Sequence, residues 1–478
     1  MSTSRHLDVN RRAWFRTMAG GVCGAALSQL LRAEIPPAPS SARLEPRPSH
    51  FPGRARSVIQ LFMNGGPSQM DLLDPKPELN RRHGQSYFDK IAGEVENISA
   101  AGSILRCPFA FAQHGQSGQW MSELLPNLAR CADELAVLRG MHTTNLTHEP
   151  ALNIIQSGQM RTGHPVMGSW IVYGLGTENQ NLPAYVVLDD PDGMPVNGIE
   201  NWTSGFLPPI YQGTRFRSRG QPVLNLRPEK EDAPDLARAA RDFLRDLDQR
   251  HLAQHPNQPA LEARIESYEL AGRMQLAAGD ALDLSQENEA TLSAYGVGKA
   301  PMDSYARRCV IARRLVERGV RFVQIFINGQ IWDHHTGIEA GLRSACQKTD
   351  QPIAALLMDL KQRGLLDSTL VVWGGEFGRL PIAQLTEDKS DKNAGRDHNK
   401  NAFTTWMAGG GVRGGTVFGE TDELGMSAVN GLVSVPDWHA TILHLLGLDH
   451  EELFFERTGL REKLTGVTHA RVVKEILA

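Results

Sequence analysis

Five short apolar runs set the strongest limit on how this 478-residue chain folds, because each is stopped by turn-forming residues. Val58 to Met63 ends at Asn64-Gly65-Gly66-Pro67, and Leu182 to Leu188 ends at Asp189-Asp190-Pro191. Arg321 to Ile327 ends at Asn328-Gly329, Ser368 to Trp373 at Gly374-Gly375, and Ala402 to Met407 at Gly409-Gly410-Gly411. Such runs read as buried strands. Helical patterns stand between and beyond them, over Ser304 to Arg318, Ile338 to Arg363 and Asp437 to Leu446. The alternation predicts an α/β fold with a mostly parallel central sheet. Residues 232 to about 295 are polar, charged and helical, broken near Pro256 and Pro259, and predict a helical excursion from that body. In such sheets ligands bind beyond the carboxyl ends of the strands, so the residues after each run carry the functional question.

Composition narrows the classes. Hydrophobic residues are 41% and charged residues 22%, the balance of a globular chain rather than a disordered one. No run reaches the ~18 to 20 apolar residues of a stable membrane span. Five cysteines include no C-x-x-C pair, which argues against a zinc ribbon. A formal net charge of -4 offers nothing to nucleic acid.

The N-terminus reads as an address. Asn10-Arg11-Arg12-Ala13-Trp14-Phe15-Arg16 precedes a Gly/Ala-rich apolar run, Thr17 to Leu31, in the manner of a twin-arginine export signal. Residues 1–33 are taken as that signal and 34–56 as a Pro/Ser-rich linker. Removing the signal, whose net charge is +4, takes the formal charge from -4 to -8. The expected partners are the twin-arginine machinery and a periplasmic or extracellular setting, with no nucleic acid.

Metal-type residues follow the strand-like runs. Asp333, His334 and His335 follow the third, Glu376 and Arg379 the fourth, and Arg396, Asp397 and His398 come some twenty residues later. Asn64, Asp71 and Asp74 follow the first. Adjacent ionisable groups on one loop are costly to bury unless a cation neutralises them. Mixed imidazole and carboxylate sets suit zinc, manganese or iron, and oxygen-rich sets suit calcium or magnesium. The segment Thr147-His148-Glu149-Pro150 predicts a capped helix start, and Gly158 its end. His148 would stand at the mouth of that anion-attracting terminus.

Together these words resemble the alkaline phosphatase-like superfamily, and more closely the bacterial exported domain of unknown function 1501, often called sulfatase-like. The matching stretches are Asn64 to Asp71 with Asp74-Pro75-Lys76, Pro165 to Trp170, Trp332 to His335, Gly374 to Arg379, Gly395 to Asn399 and Asp437 to His450. The resemblance implies a three-layer sandwich with a mostly parallel central sheet over residues 57–470, interrupted by the helical insertion at about 232–295. It implies a divalent metal ion (zinc, calcium, magnesium or manganese) held by residues among Asn64, Asp333, His334, His335, Glu376, Asp397 and His398. It also implies a small-molecule or polysaccharide ester as substrate.

The same comparison marks departures. Asn64 stands where the superfamily's hydrolases have a metal-binding Asp, and Glu376-Phe377 where they have Asp-His. At the nucleophile's place the superfamily has Ser, Thr or a modified Cys, whereas this chain has His148 beside Thr147. The implied function is therefore an exported, metal-dependent hydrolase of sulfate or phosphate esters without the usual nucleophile. One route has the metal activate a water, with His148 or His335 as acid or base and Arg379 or Arg396 binding the anion. The other has Thr147 or His148 form a covalent intermediate. The alternative is a non-catalytic binding or assembly protein on the same fold.

Overall fold

The computed structural model describes residues 44–217, 234–256, 258–387 and 392–478. The export segment at 1–33, residues 34–43 of the linker and the first residues of the predicted excursion lie outside them. Two compact units are present. Among the described residues, the smaller holds the helix Pro234–Gln254 and the first residues of the helix Pro259–Leu282. The larger unit, Leu44–Leu226 with Ser267–Ala478, carries the sheet.

Among the described residues the central sheet has nine strands: β1 (Ser57–Phe62), β2 (Leu135–His142), β3 (Tyr185–Leu188), β4 (Thr214–Phe216), β5 (Phe322–Ile325), β6 (Thr369–Gly374), β7 (Phe403–Ala408), β8 (Thr416–Phe418) and β9 (Val433–Ser434). Their order is β8-β2-β7-β6-β1-β5-β3-β4, with β9 also paired to β2. Every pairing is parallel except those of β7, which runs antiparallel to both β2 and β6. All five strands expected from the apolar runs form. Strand β2 had no such signal, because Arg139 and Gly140 interrupt its apolar residues and no turn cluster sets it off from the turns before it.

Strand β1 is buried along its whole length, so both faces need cover. Side chains alternate across a strand, so Ile59 and Leu61 enter one core and Val58 and Phe62 the other. Helices α3 (Asp303–Glu317) and α4 (Ile338–Gln362) supply the first core through residues such as Cys309, Leu342 and Leu356. Helices α1 (His148–Ser157), α2 (Met167–Leu175) and α5 (Val435–Leu445) supply the second through Leu152, Trp170 and Ile442. The result is a helix–sheet–helix sandwich.

Local chemistry fixes α1. Thr147 is its N-cap in an extended conformation, Pro150 lies in the first turn, and Gly158 ends it at φ 72. A Cβ on Gly158 would sit 2.0 Å from the Leu464 carbonyl oxygen, so this turn requires glycine twice over.

A candidate metal centre

Strand order explains why distant residues meet. Strands β6, β1 and β5 are adjacent and parallel, so the loops carrying Glu376, Asn64 and Asp333 leave the same edge of the sheet. Strand β2 points the same way, and the chain beyond it starts α1 with His148 there. Because β7 is reversed, the segment before it, His398-Asn399, arrives at that edge as well.

Asp333 is the hub. Its Oδ1 lies 2.9 Å from His335 Nε2, 3.1 Å from His398 Nε2 and 2.6 Å from Arg379 Nη2. Its Oδ2 lies 3.3 Å from His148 Nε2, which is buried and off any hydrogen-bond axis. Ligand atoms of His148, Asp333, His335 and His398 all fall within 4.8 Å of one another, close enough to share one ion.

Each imidazole is held from behind by an oxygen. His148 Nδ1 is 2.8 Å from Glu376 Oε1, His335 Nδ1 is 2.5 Å from Gln384 Oε1, and His398 Nδ1 is 2.7 Å from Glu96 Oε2, although bent away from hydrogen-bond geometry. Glu376 is fully buried; its Oε1 also accepts from Gly65 N at 2.9 Å, while Oε2 has no partner. Phe377 packs its ring against His148 and His398, with centroids 5.0 and 4.4 Å away. A Cβ on Gly65, which has φ +108, would meet Asp333 N at 2.6 Å, so the first loop lies directly against the hub.

The electrostatics follow from the contacts. Burial pushes the Asp333 carboxyl up, but the three imidazoles around it and the Arg379 charge together hold it far below the usual carboxylate range. Burial pulls His148 down, and the neighbouring carboxylates of Asp333 and Glu376 outweigh that and raise it to about 9. His335 is raised in the same way by Asp333 and Gln384 against its burial.

The expected residues divide. His148, Asp333, His335 and His398 converge. Glu376 stands behind His148, against its Nδ1. Asp397 forms a neighbouring group with Glu96 and His398, its own oxygens accepting from the backbone N–H groups of Asn97 and His398. Asn64 turns its amide nitrogen to the Ile327 carbonyl at 2.8 Å and leaves its buried Oδ1 without a partner. His334 faces elsewhere: its ring fills the space where a Cβ on Gly341 would sit. Burial and then the Arg379 charge press it down to about 4.

Both arginines expected to bind an anion are buried and bonded to protein. Arg379 donates to the carbonyls of Gly66 and Arg396 as well as to Asp333. Arg396 donates from Nε to Asp71 Oδ2 at 2.8 Å and from Nη2 to the Leu105 and Arg106 carbonyls. Thr147 is exposed, with its hydroxyl 3.3 Å from Glu96 Oε1. Glu96 and Gln384 had no sequence signal, because neither sits in a motif or directly beyond a central-sheet strand.

An α/β sandwich with an imidazole–carboxylate cluster at its strand ends is thus the class that fold and site define. The family model described as a protein of unknown function (DUF1501) matches residues 55–477, and the chain belongs to that family. No curated protein matches it significantly. Among solved structures, the lipoteichoic acid synthase LtaP from Listeria monocytogenes is 11% identical, with 93% of this chain and 80% of that one covered and a TM-score of 0.33. The PsFucS1 sulfatase from Pseudoalteromonas sp. is 14% identical over 83% and 69% of the two chains, with a TM-score of 0.36. A mutant of TAB5 alkaline phosphatase is 10% identical over 83% and 99%, with a TM-score of 0.35. At that distance the chemistry rests on this chain's own residues.

Proposed function

We propose that the cluster holds a divalent transition ion through Nε2 of His148, His335 and His398 and the Asp333 carboxylate, and that the protein uses it to hydrolyse sulfate or phosphate esters after twin-arginine export. One observation carries the metal reading. On all three rings the Nδ1 faces an oxygen of Glu376, Gln384 or Glu96, which leaves every Nε2 turned to one place. Outer oxygens that fix a ring's tautomer and aim are the usual support of histidine ligands. Three imidazoles and one carboxylate suit zinc or manganese better than calcium or magnesium, which favour oxygen sets.

Such an ion supplies Lewis acidity and an activated water. This chain's residues do the rest. Glu376 keeps the proton on His148 Nδ1 and aims the ring. Phe377 shields two of the rings from water. Arg379 ties Asp333 to the loops at Gly66 and Arg396, and Arg396 braces Asp71, so both arginines act on the scaffold rather than on the ester.

That last point favours a second reading, a non-catalytic binding protein on the same fold, since both guanidinium groups are sequestered. Metal analysis of the purified chain with a panel of aryl sulfates, phosphate monoesters and phosphate diesters separates the two. The hydrolase reading expects turnover that chelator abolishes and that His335→Ala removes without unfolding. Bound metal with no turnover on any ester leaves the binding reading.

A further inference from the structure

The far end of α1 contains polar groups that the metal reading does not use. Three glutamines sit within the otherwise apolar layer between α1 and the sheet. Gln60 on β1 and Gln324 on β5 are register partners. Gln324 Nε2 donates to Gln60 Oε1 at 3.0 Å and to Gln156 Oε1 at 2.9 Å, and Tyr185 Oη donates to Gln324 Oε1. Gln156 belongs to α1 and is 2% exposed, and its own Nε2 has no partner. From α5, buried His439 donates from Nε2 to the Ile155 carbonyl at 2.9 Å. The last turn of α1 is therefore clamped by directional bonds from both the sheet and α5.

A buried amide with an unpaired donor costs stability relative to a hydrocarbon side chain of the same size. Gln156 gives the fold little that leucine would not, except a fixed point. Apolar contacts alone let a helix slide or turn on its neighbour, whereas a hydrogen bond sets its place. His148 lies eight residues away, about 12 Å along the axis, so a tilt of about 5° at Gln156 moves the ring by about 1 Å. Sites of this kind tolerate about 0.5 Å.

We infer that Gln156, through Gln324, is a positioning residue that sets the placement of His148 against Glu376. Its consequence for ion binding rests on the reading proposed above.

The test uses the full chain labelled with 15N-histidine, with chelator-treated and cobalt-loaded samples. In the chelated protein the His148 Nδ1 proton, bonded to Glu376, gives a low-field resonance. Gln156→Leu and the near-isosteric Gln156→Met are expected to keep or raise the melting temperature, yet to lose or shift that resonance and weaken cobalt binding about tenfold. Val172→Ala, which loosens α2 in the same layer, is expected to lower the melting temperature and leave the resonance in place. An unmoved resonance in both Gln156 variants overturns the inference, as does an equal shift in Val172→Ala. Failure of the wild-type chain to bind cobalt overturns the metal reading instead, and the resonance still decides the role of Gln156.

Discussion

His148 Nδ1 lies 2.8 Å from Glu376 Oε1, and the same oxygen accepts from Gly65 N, so one buried carboxylate joins the start of α1 to the loops after β1 and β6. Residues 148 and 376 are 228 positions apart in the chain. Their contact converts three separate strand ends into one site.

Glu376→Gln keeps the shape but replaces a charged acceptor by a neutral one. It is expected to lower metal affinity by about 10- to 100-fold with the fold intact, since that is the usual effect of removing a group that holds a ligand ring in place. Competition with a chromogenic chelator measures it. Affinity equal to wild type would show that Glu376 does not support His148 as a ligand.

Arg396 and Asp71 form an ion pair with both side chains fully buried. Arg396→Met leaves the Asp71 charge uncompensated and is expected to cost about 3–5 kcal/mol in urea unfolding. The pair Asp71→Leu with Arg396→Met is expected to recover much of that loss. A single variant as stable as wild type contradicts the structural role given to Arg396.

His439 supplies a pH signature away from the imidazole–carboxylate cluster. Burial presses its pKa down to about 4, only partly offset by its bond to Ile155. The folded state keeps it neutral, while the unfolded state takes a proton near pH 6.5. Its contribution is therefore fully present above about pH 6.5 and falls as the pH drops toward 4, by about 3 kcal/mol in total. His439→Gln, which can still donate to the Ile155 carbonyl, is expected to flatten the stability curve over that window. Parallel wild-type and variant curves between pH 4 and 6.5 refute the assignment.

Gly158→Ala introduces a Cβ against the Leu464 carbonyl at a positive φ. Strain of that kind costs about 1–3 kcal/mol, so a drop in melting temperature of several degrees is expected. A neutral result contradicts the tight turn described for the end of α1.

Five of the strands and the start and stop of α1 were readable because their signals are local: apolar runs ended by turn residues, and a threonine at the N-cap position with a proline and a closing glycine. The cluster was readable only in part. Asp333 and His335 share one loop, but the arrival of His398 depends on β7 being reversed, and nothing in residues 402–407 announces strand direction. The burial of Arg379 and Arg396 was hidden for a similar reason. Arg396 meets Asp71 across 325 positions of chain, and only tertiary packing decides whether a guanidinium faces protein or ligand. Glu96 and Gln384 reach the rings from segments with no motif of their own.

Elemental analysis of the purified full chain, alongside His335→Ala and His398→Ala, decides whether the cluster holds an ion. Close to one equivalent of zinc or manganese per wild-type chain is expected, stripped by chelator, and far less in either variant while circular dichroism stays native. Wild-type chains that carry no transition metal, even after incubation with zinc or manganese, contradict it.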